Sequence, residues 1–517
     1  MDGGTDINHE DLKDVLWTNT KEIPGNGIDD DKNGYIDDVH GWNFIGGKNG
    51  NVAYDNLELV RIKRKLDPQY RGFILSTKMD SSQKEEFKLW TKVTAEFGKK
   101  YDEALSTFSA LVRINRLLDT AATAVKKTVP SLEDVEAYKA DNEEEEYWKG
   151  YIRKESKNNK SFEGFVKEMK KALRDYEVMV KYNLNDKYDK RAEIVGDNYA
   201  DANERFYGNN DVVGPHADHG SHVAGIIAGN RNNTIGINGV ANNVSIMVVR
   251  VVPEGDERDK DVANGIRYAV DNGAKVINMS FGKSFKWNKQ VVDEAVKYAE
   301  EKGVLIVHAA GNDNLDNDRN DNFPNKYYDS EEARAYDKAN KKPEQRPFTP
   351  VDPRMQSMER NSGFNQVNRV KPVIDSAKFN LPHASNWIEV GASAYKDNDE
   401  LKASFSNYGK NNVDVFAPGF MINSTVPGSK YDEFDGTSMA APVVSGLASL
   451  ILSYYPQFTP AQVRDIIIKS SVKVGRKIKY TNARDESLRT TLSELSVSGG
   501  IANAYNALKT VARDGKV

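Results

Sequence analysis

Gly436-Thr437-Ser438-Met439-Ala440-Ala441-Pro442, followed by the apolar run 443–455, is the stretch whose reading decides the fold. A helix that is hydrophobic nearly all round has to be buried. The serine sits between small residues at its mouth, where unpaired N–H groups and the positive end of the dipole suit a nucleophile whose reaction generates an oxyanion. Pro442 is tolerated best near a helix start. Taken alone, the segment is equally an ordinary buried helix with a serine cap. The residues upstream decide between the two.

Working back from it, residues 245–252, 275–282 and 304–312 read as buried strands, with helices at 262–272 and 290–302 between them. Strand–helix alternation predicts an α/β fold, a doubly wound and mostly parallel sheet flanked by helices. Residues 387–393 and 413–419 resume that core, and helices at 460–470 and 500–511 close the chain. Further upstream, His219-Gly220-Ser221-His222-Val223-Ala224-Gly225 opens a helix of small residues. Histidines three apart with no acid between them are not a zinc-protease pattern, which leaves His219 as a candidate base. Asp2-Gly3-Gly4 places a carboxylate before a tight turn.

Between these pieces the composition changes. Residues 55–198 are rich in lysine and glutamate, with helical stripes Phe87, Trp90, Val93, Phe97, Tyr101, Leu105, Phe108, Val112 and Phe162, Phe165, Met169, Leu173, Tyr176, Val180. They predict an inserted helical hairpin or bundle, with Ser82 and Glu85 as a capping box; a lid, an exosite and an assembly surface are equally open roles. The catalytic body is thus divided into 1–54 and 199–511, with a surface excursion at about 313–382. Asp29, Asp31, Asn33, Tyr35 and Asp37 follow calcium-loop spacing and predict a structural Ca²⁺. His40 stands at the twelfth position, so the loop is not a full EF-hand. Asp316, Asp318 and Asn320 offer a second set of oxygens.

The chain has 517 residues, a net charge of −5 and no cysteine, which excludes disulfides and thiolate metal sites. There is no basic footprint for nucleic acid, no apolar run long enough to cross a bilayer and no visible signal peptide.

These stretches, together with Asn278-Met279-Ser280-Phe281-Gly282 and Ala309-Ala310-Gly311-Asn312, resemble the subtilisin-like serine proteases, whose triad runs Asp, His, Ser along the chain. The resemblance implies Ser438 as nucleophile, His219 as general base and then acid, Asp2 as the carboxylate orienting the imidazole, and Asn312 as oxyanion donor. It implies one substrate edge at Ser280, Phe281 and Gly282 and the opposite edge at Gly255, Asp256 and Glu257. It also implies a protein or peptide substrate, a propeptide and export from the cell. Acids at Asp256, Glu257, Asp259 and Asp313 would draw basic side chains to those edges. In the family a central strand leads into the aspartate, and here only Met1 precedes it. The expectation is a gap at the centre of the sheet and a poorly preorganised Asp2. A non-catalytic body that binds through its helical insertion is the competing reading.

Overall fold

The computed structural model describes residues 1–74, 77–159, 161–340, 376–481 and 486–514. At its centre is the helix Thr437–Tyr454. By length and a mean hydropathy of 1.4 it is apolar enough to cross a membrane, contrary to the sequence expectation, but it is the core helix of the body. Ala440, Ala441, Val444, Leu447, Ala448 and Ile451 pack against the sheet residues Val307, Ile388, Val390 and Val415.

The strands that matter here are β1 (Gly41–Asn43), β2 (Val248–Arg250), β3 (Val276–Met279), β4 (Leu305–Ala309), β5 (Trp387–Ser393), β6 (Val415–Pro418), β7 (Val472–Lys473) and β8 (Gly500–Ile501). One sheet has the order β7-β8-β6-β5-β4-β3, parallel from β8 to β3, in registers such as Val276↔Leu305, Ile306↔Trp387 and Val390↔Val415. Side chains alternate between its faces. Val307 and Val390 meet the central helix, while Ile277, Ile306 and Trp387 meet helices Asp259–Asp271 and Lys289–Glu301 on the other side. Helices on both faces make this the doubly wound α/β architecture. The last helix begins at Ala504, after the short strand β8.

The expected interruption of the sheet is visible. Among the described residues β2 pairs with β1 in a separate parallel ribbon and forms one further parallel bridge, Arg250 with Asp2, and β3 is the edge of the six-stranded sheet. Met1 and Asp2 lie between them: the Met1 amine donates to the Asn278 carbonyl at 3.0 Å, and Asp2 N–H donates to the Val249 carbonyl at 3.0 Å. Behind these two residues lies a cavity of about 380 Å³ lined by Val223, Ala224, Val248, Val249, Ile277 and Leu452, among others.

Residues 58–178 form helices α1 (Glu58–Tyr70), α2 (Ser81–Ala124), α3 (Leu132–Ala137), α4 (Glu143–Glu155) and α5 (Phe162–Val178). The box that caps α2 is Asp80 with Gln83, two residues ahead of Ser82 and Glu85, because Asp80 is the extended residue just outside the helix. α2 runs about 66 Å. Phe87 and Val93 are buried, whereas Leu105 and Val112 are 40% and 42% exposed, and the buried face continues through Ala104, Leu111, Ile114 and Leu118. Two clusters result, one around α1 that includes Phe285 of the body, the other around α3, α4 and the start of α5.

The joint between insertion and body is a buried ion network. Lys283 binds Glu58 at 2.8 Å and Asp259 at 2.7 Å, and Arg61 binds Glu58 at 2.6 Å. Burial opposes the Glu58 charge, but Arg61 and Lys283 outweigh it and hold its carboxyl down at about 2. Residues 341–375 of the surface excursion lie outside the described residues.

An apolar five-residue extension placed before Met1 is expected to pair with both sheet edges, fill the cavity and raise the melting temperature by several degrees. Each new hydrogen bond contributes about 1 kcal/mol. An unchanged melt in a well-folded variant would show that the slot does not accept a strand.

Candidate active site

Asp2 and His219 meet. His219 begins the second residue of the helix Asp218–Ala228, and its Nδ1 lies 2.9 Å from both Asp2 carboxylate oxygens. Two glycines make that approach possible. A Cβ on Gly220 would sit 2.1 Å from the Gly4 carbonyl oxygen, and Gly4, at φ +141°, would place one 2.0 Å from the Val213 carbonyl. Asp2 is better fixed than its place at a chain end predicts. Besides its bond to Val249, its carbonyl accepts from Val251 N–H at 3.0 Å and its Oδ1 from Gly3 N–H at 2.7 Å.

Arg250, which the sequence reading passed over, holds the turn from beneath: its Nε donates to the Gly3 carbonyl at 2.6 Å. That guanidinium is 1% exposed, and burial draws it down to about 10. Burial also works against charge on the acid and the imidazole. It is outweighed by their mutual attraction and hydrogen bond, so Asp2 titrates below the ordinary carboxylate and His219 above the ordinary imidazole.

Ser438 opens the core helix, but its hydroxyl donates to the Ser280 carbonyl at 3.1 Å, and no hydrogen bond joins it to His219. A chain of contacts fixes this end of the helix: Ser445 Oγ donates to Asn278 Oδ1 at 2.8 Å, Asn278 Nδ2 to Ser280 Oγ at 2.9 Å, and Ser280 Oγ to the Ser438 carbonyl at 2.9 Å. Thr437, a second residue the sequence reading passed over, orients Asn312. Its N–H and hydroxyl both donate to Asn312 Oδ1, at 2.8 and 3.0 Å. The amide oxygen is thereby occupied, and Nδ2 is the end left to act as a donor.

His222 is set apart from this chemistry. It stacks on Phe434 at 4.3 Å, its Nε2 faces the Ile422 and Asp432 carbonyls, and burial lowers it to about 4, so it is neutral.

The two expected substrate edges fare differently. Ser280 is buried, Phe281 half-buried and Gly282 exposed beyond them. On the other side the insertion has already used the groups in question. Arg61 donates to the carbonyls of Asp256 and Glu257 at 2.9 and 3.0 Å, and Asp256 Oδ2 accepts from Glu58 N–H at 2.7 Å. Glu257 is 2% exposed, with burial raising it to about 7, and Asp259 is bound to Lys283. Asp259 is therefore an internal counter-ion to Lys283, Glu257 is buried, and the Asp256 carboxylate is taken up by the start of α1, so the three do not offer free charge to a basic substrate side chain. Gly255 is half-buried, and a Cβ there would lie 2.2 Å from the Asp55 carbonyl.

The acidic loop is also rearranged relative to its spacing. Glu22, Asp29 and Asp31 bring one carboxylate oxygen each within 4.8 Å of one another, and Glu22 lies outside the spacing pattern. Asp37 faces away: its oxygens accept from the N–H groups of Gly25, Asn26 and Gly27. Asn33 Oδ1 accepts from Tyr35 N–H and its Nδ2 donates to Asp38, while the Tyr35 ring is core, 3% exposed. The oxygens of Glu22, Asp29 and Asp31 accept N–H groups of this loop as well, and each carboxylate keeps a lone pair that a cation could take. Asp318 is likewise occupied, by the backbone N–H groups of Asn411 and Asn412.

Comparison with known proteins places this geometry. The chain matches the description "Subtilase family" over residues 1–490. It is 33% identical to "Subtilisin NAT" of Bacillus subtilis subsp. natto over 267 residues, covering 51% of this chain and 53% of that protein. It is 30% identical to a "Thermostable alkaline protease" of Halalkalibacterium halodurans over 274 residues, covering 53% and 57%. "Subtilisin" of Bacillus pumilus is 33% identical over 267 residues, 51% of this chain and 74% of that protein. The chain thus spans about half the length of the first two relatives. With the acid–imidazole pair, the serine at the mouth of the core helix and a match along nearly its whole length, the chain belongs to the subtilase family.

Proposed function

We propose that this protein is a serine endopeptidase that cuts peptide bonds through an Asp2–His219–Ser438 triad and an acyl-enzyme. The observation that carries the reading is the paired contact of Asp2 with His219 Nδ1, which leaves Nε2 free to serve as base. In the reaction, the Ser438 hydroxyl turns from the Ser280 carbonyl to Nε2, a rotation between staggered wells about one side-chain bond. Oγ attacks the scissile carbonyl carbon as Nε2 takes its proton. Asn312 Nδ2 and the Ser438 N–H receive the oxyanion. His219 then gives its proton to the leaving amine, and a water, activated by the same imidazole, hydrolyses the ester. The substrate backbone adds as a strand beside Ser280, Phe281 and Gly282. Family membership supports a protein or peptide substrate and export from the cell.

The Ser438–Ser280 bond favours one alternative, a body whose serine is held off its base and whose helical insertion serves binding. A fluorophosphonate probe separates the two. Labelling at Ser438, abolished in Ser438→Ala, supports the peptidase; a folded protein that never labels supports the alternative.

Glu22, Asp29 and Asp31 would hold a Ca²⁺, a hard cation that takes oxygen ligands and would tie the loop to the segment before it. A chelator is expected to lower the melting temperature of the wild type and to leave Glu22→Gln, already lowered, unmoved. Equal responses in the two proteins would remove this assignment.

Two kinetic outcomes follow from the geometry. Asn312→Ala is expected to reduce kcat by about 10²–10³ with little change in KM. The base works only when neutral, so kcat/KM should rise as pH climbs through a His219 pKa held above 6.5 by Asp2. Asp2→Asn removes that negative charge, so the residual activity should be about 10⁴ lower and its rise should move to lower pH. A pH profile identical in both proteins would show that Asp2 does not govern the imidazole.

A further inference from the structure

Apart from the buried ion network, the insertion meets the body through its helical run 167–183 at two separated places, and the segment 216–222 that carries His219 contacts both. At the near place Asn183 donates to the carbonyls of Asp55 and Glu254 at 2.9 and 2.8 Å, and Tyr182 stacks on Tyr54 at 4.1 Å. Tyr54 also meets His216 at 5.3 Å. At the far place Lys167 of α5 reaches Asp432 at 3.7 Å, in the hairpin strand Lys430–Phe434. The carbonyl of that same Asp432 faces His222 Nε2 at 3.1 Å. His216 and His222 thus tie the two ends of the histidine segment to the two contact places, with His219 midway along the sequence between them.

From Lys167 to Asn183, α5 and the π-helical turn Met179–Asn183 make one helical run of about 24 Å. α2 stiffens it from behind, through Lys170 with Asp119 at 3.2 Å and Asn115 with the Met169 carbonyl at 3.4 Å.

We propose that this arm bridges the rim of the cleft at His219, so that the site takes extended, unstructured polypeptide and excludes loops on folded proteins. The inference rests on the peptidase reading above. Charge supports the closure. Lys167, Lys171 and Arg174 fall on one face of α5 in successive turns, and the hairpin that Lys167 meets exposes Asp432, Glu433 and Asp435. A single extended chain passes beneath such a bridge, whereas a folded domain offering a loop brings its bulk into the space the arm crosses. The Lys167 and Asp432 side chains are 79% and 50% exposed, so their contact is a weak, salt-sensitive latch. A pair of that kind changes the closed-to-open ratio by about fivefold at most.

Two measurements decide it. The chain has no cysteine, so Lys167→Cys/Asp432→Cys carries the only thiols. A short bis-maleimide should join them in high yield, read as a mobility shift with no reference to activity. Cleavage is then compared on a short chromogenic peptide, a folded globular protein, and that protein reduced and alkylated. The wild type should cut the peptide and the unfolded chain and spare the folded form. Lys167→Glu should speed cleavage of the folded form about fivefold and leave the peptide rate alone, and adding Asp432→Lys should restore the wild-type ratio. Absence of cross-linking, or equal rates on folded and unfolded protein, overturns the bridge. Failure to cut any peptide counts against the peptidase reading, and the cross-link still decides where the arm lies.

Discussion

The pairing of Asp2 with His219, on which the proposed catalytic arrangement rests, hangs on how Met1 and Asp2 are held between two sheets. Met1 donates to β3, Asp2 donates to and accepts from the β2 segment, and the Asp2 side chain then has one place to go, toward His219. Four backbone bonds, the Gly3–Gly4 turn and the buried Arg250 hold it there. That concentration of polar contacts around one carboxylate explains why a position expected to be loose is well placed.

The nucleophile end is built on a different principle. Its helix is pinned by the hydrophobic core along its length and by the Ser445–Asn278–Ser280 chain at its mouth. Thr437 belongs to the same helix start and sets which end of the Asn312 amide faces the cleft. One element therefore positions both the Ser438 hydroxyl, the proposed nucleophile, and the Asn312 amide, the proposed oxyanion donor. The remaining adjustment is a local turn of the Ser438 hydroxyl.

The insertion is joined to the body by charges that have left water. Breaking one partner of such a buried group is costly, about 3–5 kcal/mol, because the other is stranded. Glu58, Arg61, Lys283 and Asp259 thus fix the insertion where it enters the body, beside the segment expected to line the cleft. The same network explains why the acids of that segment are poor candidates for substrate recognition.

The strands, the flanking helices and the buried serine helix were legible in the sequence, because each is a local pattern of small, apolar and polar residues. What remained hidden depends on contacts between distant segments. Glu22 joins Asp29 and Asp31 only through the path of the chain between them, and Asp37 turns away because three backbone N–H groups compete for its oxygens. Asp256 and Glu257 look like free acids until α1 is laid over them. Arg250 reads as one polar residue in a strand until the Gly3 carbonyl is placed against it. Spacing along a chain determines which side chains share a face; only the packed structure decides which partner each polar atom keeps, since every buried donor and acceptor must be satisfied by whatever segment lies next to it.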